Sequence, residues 1–155
     1  RKIESMDRFS RYISDDYGIE AISGNLEDLS KVDIICTATP STDPLFKHLH
    51  LKPGVHINAI GSFRPSMREI PNETVINAKV VVDSFIASKK EAGDLLLTEQ
   101  ETNWTFKNIH SEIGAIASGR ISGRSNDVEM TLFKSVGLGF QDLAISELVL
   151  DRYDS

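Results

Sequence analysis

The sequence predicts an α/β fold, the later part of a doubly wound parallel sheet. Three short runs of apolar, mostly β-branched residues predict strands at 32–36, 55–60 and 79–83. Such runs, without polar alternation, are typical of strands covered on both faces. Successive runs begin 23 and 24 residues apart. This spacing suits crossover connections, because a hairpin needs only about 2–5 linking residues.

Three elements are expected before the first of these strands. An apolar stripe from Ile3 to Ile13 predicts a helix over residues 2–14. Residues 19–22 predict a strand, and Asn25 is a candidate cap for a short helix that follows.

The crossovers have helical character. Residues 45–49 and 72–76 each favour a turn of helix. The segment from 91 to 127 is polar and broken by glycine, and residues 91–96 and 111–114 resemble junctions where a loop enters a helix.

The C-terminal part predicts a further strand at 130–136 and then a helix with an apolar stripe. Gly137 and Gly139 stand between them, as in the first half of a dinucleotide-binding fingerprint. Asp142 occupies the place of the third glycine, so this motif alone is a weak signal.

Composition restricts the function classes. The 155 residues make one domain-sized unit, and the net charge of −6 with no basic cluster longer than Lys89–Lys90 argues against nucleic-acid binding. No apolar stretch approaches the length of a membrane span. The single cysteine, Cys36, excludes an internal disulfide and fits a reducing compartment, so a cytoplasmic location is expected. His48 and His50 lack an acidic cluster, so no metal site is expected.

Small and hydroxyl-bearing residues follow three predicted strands. They occupy residues 37–42, 61–65 and 84–85. Ligands of doubly wound sheets bind beyond the carboxyl ends of the strands, where hydroxyls can donate to ribose, phosphate or carboxamide groups. Ordinary turn chemistry remains an alternative, since Ser, Thr, Pro and Gly are favoured in any loop.

Several segments together resemble the ornithine cyclodeaminase/mu-crystallin family. They follow one another in the family's order, and they are residues 33–41, 56–69, 82–84, 91–94, 111–114, 131–137 and 142–143.

The resemblance implies an NAD(P)-dependent enzyme of small amino or imino acids, with a Rossmann domain and a second domain that holds a homodimer. Residues 1–136 would form the latter part of the Rossmann domain, and residues 137–155 a helix that packs towards the dimerisation domain. The family's glycine-rich loop would precede Arg1, so we expect the chain to be a fragment of a longer protein. The choice between NAD and NADP stays open.

The resemblance also implies individual roles. The cofactor-binding residues would be Thr39, Ile57, Asn58, Ala59, Ile60 and Ser135, of which Ser135 would stand beside the nicotinamide. Glu91 matches an acid that lines the substrate pocket in the mu-crystallin branch. A structural role is the alternative for Asn58 and the favoured one for Asp83, which would tie strand ends together or cap the next helix.

One departure from the family separates the possible reactions. Ornithine cyclodeaminases carry an aspartate two residues after the glycine that matches Gly61, and a lysine four residues beyond it. Here these positions are Phe63 and Met67. Phe63 cannot carry a proton, so the catalytic residue stays unassigned.

The same segment is similar to the branch with mu-crystallin and bacterial Δ1-pyrroline-2-carboxylate reductases. The favoured function is therefore reduction of a small ketimine by NAD(P)H. The alternatives are conversion of ornithine to proline and ammonia, and a non-catalytic, cofactor-bound crystallin-like protein.

Overall fold

The computed structural model describes residues 3–153 and contains one five-stranded sheet. Every pair of neighbouring strands is parallel, as the sequence predicts. In chain order the strands are β1 (Ile34–Thr37), β2 (His56–Ala59), β3 (Lys79–Val82), β4 (Ser111–Glu112) and β5 (Thr131–Lys134).

Within residues 3–153, six α-helices connect or flank the strands. They are α1 (Ile3–Tyr17), α2 (Asn72–Asn77), α3 (Phe85–Glu91), α4 (Gly93–Glu101), α5 (Ile113–Ala117) and α6 (Gly139–Tyr153). Short 3₁₀ helices occupy Leu26–Ser30, His48–His50 and Phe106–Asn108. No helix among residues 3–153 is long and apolar enough to cross a membrane.

The last strand is inserted between earlier ones, because the spatial order is β1-β2-β5-β3-β4. Leu132 of β5 lies opposite Ile57 of β2 on one side and Val80 of β3 on the other. The carboxyl ends of β1, β2, β5 and β3 therefore lie side by side at one edge, where the sequence predicts the ligand site.

One face of the sheet forms the core. Ile57, Ala59, Val80, Val82 and Leu132 on this face are fully buried. They pack in one cluster with apolar residues of α2, α4 and the connecting loops, which include Ile70, Val75, Leu95, Trp104 and Phe106.

The opposite face is covered only in part by the described residues. Ile34 and Cys36 are exposed there, and His56 is half-buried. Ile113 and Ile116 of α5 line a depression of about 500 Å³ over this face. The sequence predicts strands covered on both faces. The described residues cover one face of the sheet completely and the other only in part.

The predicted strand at 19–22 is wrong. Ile19 is 59% exposed and Ile22 is 83% exposed, and no described strand lies beside them. The Ala21 N–H instead donates to Ser14 Oγ at 3.1 Å. The segment is apolar enough for a strand, but it has no ladder partner among the described residues.

The other local predictions differ from the structure mainly at their ends. α1 continues to Tyr17, and the predicted first residue of this helix, 2, lies outside the described range. Asn25 caps the first 3₁₀ helix by accepting the Glu27 N–H at 2.8 Å, as predicted. The short strand β4 stands where only a loop-to-helix junction was expected, because two residues are too few to show a period.

Candidate functional site

The loops after β1 and β2 meet at the carboxylate of Glu69, which is fully buried. Its Oε2 accepts the Thr37 hydroxyl proton and the Gly61 N–H, both at 2.8 Å. Its Oε1 accepts the Thr39 N–H at 2.6 Å. One side chain thus binds both loops at the edge where ligands of this fold class bind.

A buried ion pair lies behind these loops. Lys134 Nζ, at the end of β5, is 3.1 Å from Asp94 Oδ2, and both side chains are fully buried. Lys134 Nζ also donates to the Ala59 carbonyl at 3.2 Å. Asp94 Oδ1 accepts the backbone N–H groups of Glu69 and Ile70 at 2.7 and 2.9 Å. The pair therefore joins the end of β5 to β2, α4 and residues 69–70.

A third carboxylate joins the ends of β3 and β5. Asp83 Oδ2 accepts the Ser135 hydroxyl proton at 2.9 Å and the N–H groups of Val136 and Gly137 at 2.8 and 3.0 Å. Its Oδ1 accepts the Ser84 N–H at 2.8 Å. The favoured structural role of Asp83 is confirmed: it ties two strand ends together.

Two glycines permit close backbone contact at this edge. A Cβ on Gly61 would overlap the backbone N and O atoms of Thr39 and the carboxylate of Glu69. A Cβ on Gly93, at the start of α4, would overlap the carbonyl oxygens of Arg64 and Met67. The loop after β2 is therefore pressed against the loop after β1 on one side and against α4 on the other.

The residues predicted to bind the cofactor differ in how far their side chains are buried. Ile57 and Ala59 have fully buried side chains on the core face, which leaves only their backbone for a ligand contact. Asn58 lies on the opposite face, where its Oδ1 is 3.2 Å from His56 Nε2. Thr39 is half-buried and Ile60 is 49% exposed at the strand ends.

Ser135 completes the predicted cofactor set, and it is 9% exposed beside Asp83. The structure brings Thr39, Ile60 and Ser135 to one edge of the sheet and turns the Asn58 side chain onto the open face. Cofactor binding by these residues remains a prediction.

The two residues expected on the substrate side lie on neighbouring segments. Phe63 is 45% exposed in the loop after β2, with the Arg64 guanidinium 5.5 Å from its ring centre. Glu91 is the exposed last residue of α3, two positions before Gly93, which packs against the Phe63 loop.

The two histidines near the Pro-Gly turn have ordinary partners. His48 Nδ1 lies 3.1 Å from Thr74 Oγ1, and His50 Nδ1 accepts the Lys47 N–H at 3.1 Å. Residues 3–153 contain no group of three or more His, Cys, Asp or Glu side chains placed to hold a metal ion.

The carboxyl groups whose pKa is lowered do not contact the residues of the candidate site. Hydrogen bonds from Asn72 and Arg68 lower the pKa of Glu101, and hydrogen bonds from Lys79 and the Ser125 N–H lower the pKa of Glu129. These groups stabilise loops and helix contacts and do not contribute to the candidate site.

Sequence reasoning missed three charged residues of the site, which are Glu69, Asp94 and Lys134. Charged residues are rarely fully buried unless paired, so no local pattern of the sequence marks these three as buried residues. The available signal was position: all three lie inside segments that carry the family resemblance.

The family profile described as the ornithine cyclodeaminase/mu-crystallin family matches residues 1–155. The chain belongs to this family. The predicted resemblance is thereby confirmed, and the parallel α/β sheet agrees with the Rossmann-type fold that it implies.

Proteins similar to this chain include reductases and a dehydrogenase. The chain is 44% identical over 148 residues to the Δ1-pyrroline-2-carboxylate reductase of Bacillus cereus, which covers 93% of this chain and 45% of that protein. The structure of Δ1-pyrroline-2-carboxylate reductase from Thermococcus litoralis in complex with NADH and L-proline superposes with a TM-score of 0.88 at 34% identity, over 95% of this chain and 46% of that one.

An archaeal alanine dehydrogenase dimer with bound NAD superposes with a TM-score of 0.87 at 33% identity, over 96% of this chain and 46% of that one. The chain thus spans about half the length of the curated relatives it matches.

Proposed function

We propose that the protein containing this chain is an NAD(P)H-dependent reductase of a small ketimine, with Δ1-pyrroline-2-carboxylate as the favoured substrate. Similarity to Δ1-pyrroline-2-carboxylate reductases over nearly the whole chain supports the substrate class. NADH in one similar structure and NAD in another support the cofactor class.

The observation that carries the proposal is the edge where β1, β2, β3 and β5 end. Buried carboxylates fix the loops there, and Gly61 lets the loops after β1 and β2 lie in direct backbone contact. A flat ligand with polar edges suits such an edge, since small residues let it approach the backbone. Thr39, Ile60 and Ser135 are the residues of this chain that would hold the dinucleotide. When bound, the dinucleotide supplies a hydride.

The hydroxyls at this edge have opposite hydrogen-bonding capacity. Ser135 donates its proton to Asp83, so towards a ligand it can act only as an acceptor, which suits the N–H₂ of a carboxamide. Thr39 Oγ1 accepts the Ser41 N–H at 3.3 Å, and its own proton has no acceptor among the described residues. Thr39 can therefore donate to a ligand oxygen.

The residue at position 63, on the substrate side, favours a reductase over a cyclodeaminase. Phe63 offers an apolar wall and has no proton to exchange. A ketimine can arrive already protonated, so its reduction does not require a strong base at this position. Oxidation of ornithine requires a group that takes a proton, and the family's residue for that step is absent here.

Oligomeric state, domain organisation and location belong to the same proposal. α6 has no buried residue, and its apolar side chains Phe140, Leu143 and Val149 are 59–65% exposed. We assign residues 1–136 to the Rossmann domain, and residues 137–155 to a helix that packs towards a dimerisation domain in a homodimer. The archaeal dehydrogenase dimer supports this assembly. The single cysteine supports a cytoplasmic location.

The test is a comparison of substrates with the full-length protein. NADH and NADPH oxidation is followed at 340 nm with Δ1-pyrroline-2-carboxylate, and the release of proline and ammonia is followed with ornithine and NAD, because that conversion produces no net NADH. We expect imine reduction to exceed ornithine oxidation. Proline and ammonia from ornithine, with no turnover of the imine, would establish the cyclodeaminase, and dinucleotide binding without either turnover would establish the non-catalytic alternative.

A further inference from the structure

Glu69 is a buried carboxylate whose charge is balanced by hydrogen bonds alone. Among the described residues, no cationic side chain forms an ion pair with it. Burying an ionised carboxylate is costly unless donors replace its water. The three donors are the Thr37 hydroxyl and the N–H groups of Thr39 and Gly61. All three belong to the ends of β1 and β2, so the charge is stable only while these two ends stay in place.

The backbone of Glu69 is held independently of those donors. Its N–H donates to Asp94 Oδ1 at 2.7 Å, and its carbonyl accepts the Leu45 N–H at 2.8 Å. Asp94 is in turn held by Lys134 at the end of β5. The carboxylate is therefore a fixed point to which the two loops attach.

The loops after β1 and β2 are in direct contact at this point. Gly61 approaches Thr39 so closely that even a methyl group would overlap the Thr39 backbone and the Glu69 carboxylate. A small displacement of Glu69 would therefore move Thr39 relative to Ile60 and Gly61, and so change the spacing of the groups proposed to hold the dinucleotide.

We propose that Glu69 is a positioning residue that sets the spacing of the loops after β1 and β2 for dinucleotide binding. This inference rests on the proposed function. Glu69 has no exposed surface, so it acts through the Thr39 and Gly61 backbone and does not touch the ligand.

The test is Glu69→Gln in the full-length protein. The amide keeps the size of the side chain, but its N–H₂ replaces one acceptor oxygen and faces an N–H or O–H donor. We expect the Kd for NADH or NADPH, measured by calorimetry on folded protein, to rise about tenfold, which corresponds to about 1.4 kcal/mol. At saturating cofactor, the kcat should change much less than the KM for the cofactor, because the residues on the substrate side are unchanged.

Hydrogen exchange provides a readout of the loops themselves. In Glu69→Gln, peptides covering 37–42 and 59–63 should exchange faster, while a peptide from α6 should not change. Glu73→Gln, at an exposed position of α2, is the matched control and should leave both affinity and exchange unchanged.

The outcomes separate the two proposals. Wild-type affinity and wild-type exchange in folded Glu69→Gln overturn the positioning role, even if the melting temperature falls. Failure of the wild-type protein to bind either dinucleotide overturns the proposed function itself. If Glu69→Gln does not fold, Thr37→Val removes only one of the three donors, and an unchanged Kd in that variant likewise overturns the positioning role.

Discussion

The Ser135 hydroxyl lies 2.9 Å from Oδ2 of Asp83, at the point where β5 and β3 end side by side. The same Asp83 oxygen also accepts two backbone N–H groups from the residues after Ser135. This contact fixes both the position of the Ser135 side chain and the direction of its proton. The hydrogen-bonding character of the candidate cofactor edge therefore depends on a carboxylate from the neighbouring strand.

Ser135→Ala tests the acceptor role of this hydroxyl. Loss of one neutral hydrogen bond is expected to weaken dinucleotide binding by about 1 kcal/mol, or roughly fivefold. The penalty should disappear with the 3-acetylpyridine analogue of NAD, which has a methyl group in place of the carboxamide N–H₂. Ser30→Ala, at an exposed position, is the control. An equal penalty for both dinucleotides would contradict the acceptor role.

Asp83→Asn should reduce both stability and cofactor affinity. The amide N–H₂ would face at least one of the four donors that Asp83 now accepts. An unsatisfied buried donor costs about 1–3 kcal/mol. Urea unfolding should show this loss, while Asp15→Asn, at an exposed position, should unfold like the wild type. Unchanged stability in Asp83→Asn would show that the strand ends are held by other contacts.

Lys134→Met should destabilise the protein strongly. It leaves the Asp94 carboxylate buried without its cation, and breaking a buried pair from one side costs about 3–5 kcal/mol. The double variant Lys134→Met/Asp94→Asn should recover part of this loss, because no buried charge remains and the amide oxygen can still accept an N–H. Additive losses in the double variant would contradict a coupled pair.

The contact between Lys79 and Glu129 should contribute to stability in a pH-dependent way. Hydrogen bonds from Lys79 and the Ser125 N–H lower the pKa of Glu129 below its ordinary value of 4.5. The folded state therefore binds this proton less readily than the unfolded state, so the stabilisation is present above pH 4.5 and is lost as the pH falls through the lowered pKa. Glu129→Gln should give a shallower loss of melting temperature below pH 4.5 than the wild type. If the melting temperatures of the two proteins fall identically below pH 4.5, Glu129 makes no such contribution.

Phe63→Asp should impair imine reduction. The new carboxylate would lie on the substrate side without a pairing cation other than the exposed Arg64, and part of the apolar wall would be lost. The KM for Δ1-pyrroline-2-carboxylate should rise, while the Kd for the dinucleotide should stay near that of the wild type. Phe63→Leu keeps an apolar wall and is the matched control. A KM unchanged by Phe63→Asp would remove Phe63 from the substrate pocket.

The sequence predicted the parallel sheet because its signals are local. The run from Val55 to Ile60 is apolar and β-branched enough to predict a strand by itself, and Asn25 identifies a cap through its neighbours. The apolar segment at 19–22 shows the limit of this reasoning, since a strand also needs a ladder partner.

The candidate site depends on contacts that no local pattern encodes. Glu69 lies 30 residues from Thr39, and Lys134 contacts Asp94 and Ala59 across the sheet. From the sequence alone, a charged side chain is expected at the surface, because its buried partners lie far away along the chain. The position of the site was predictable from the strand ends, and so was the structural role of Asp83, but the roles of Glu69 and Asp94 became visible only in the structure.

Transfer of a hydride from the nicotinamide to the imine carbon is the step that defines the proposed reaction. The full-length protein is incubated with Δ1-pyrroline-2-carboxylate and with NADH or NADPH that carries deuterium at both C4 positions of the nicotinamide, and the product is analysed by mass spectrometry and proton NMR. We expect proline that carries one deuterium at Cα. Proline without deuterium, or no proline from the imine while ornithine is consumed in the presence of NAD, would contradict it.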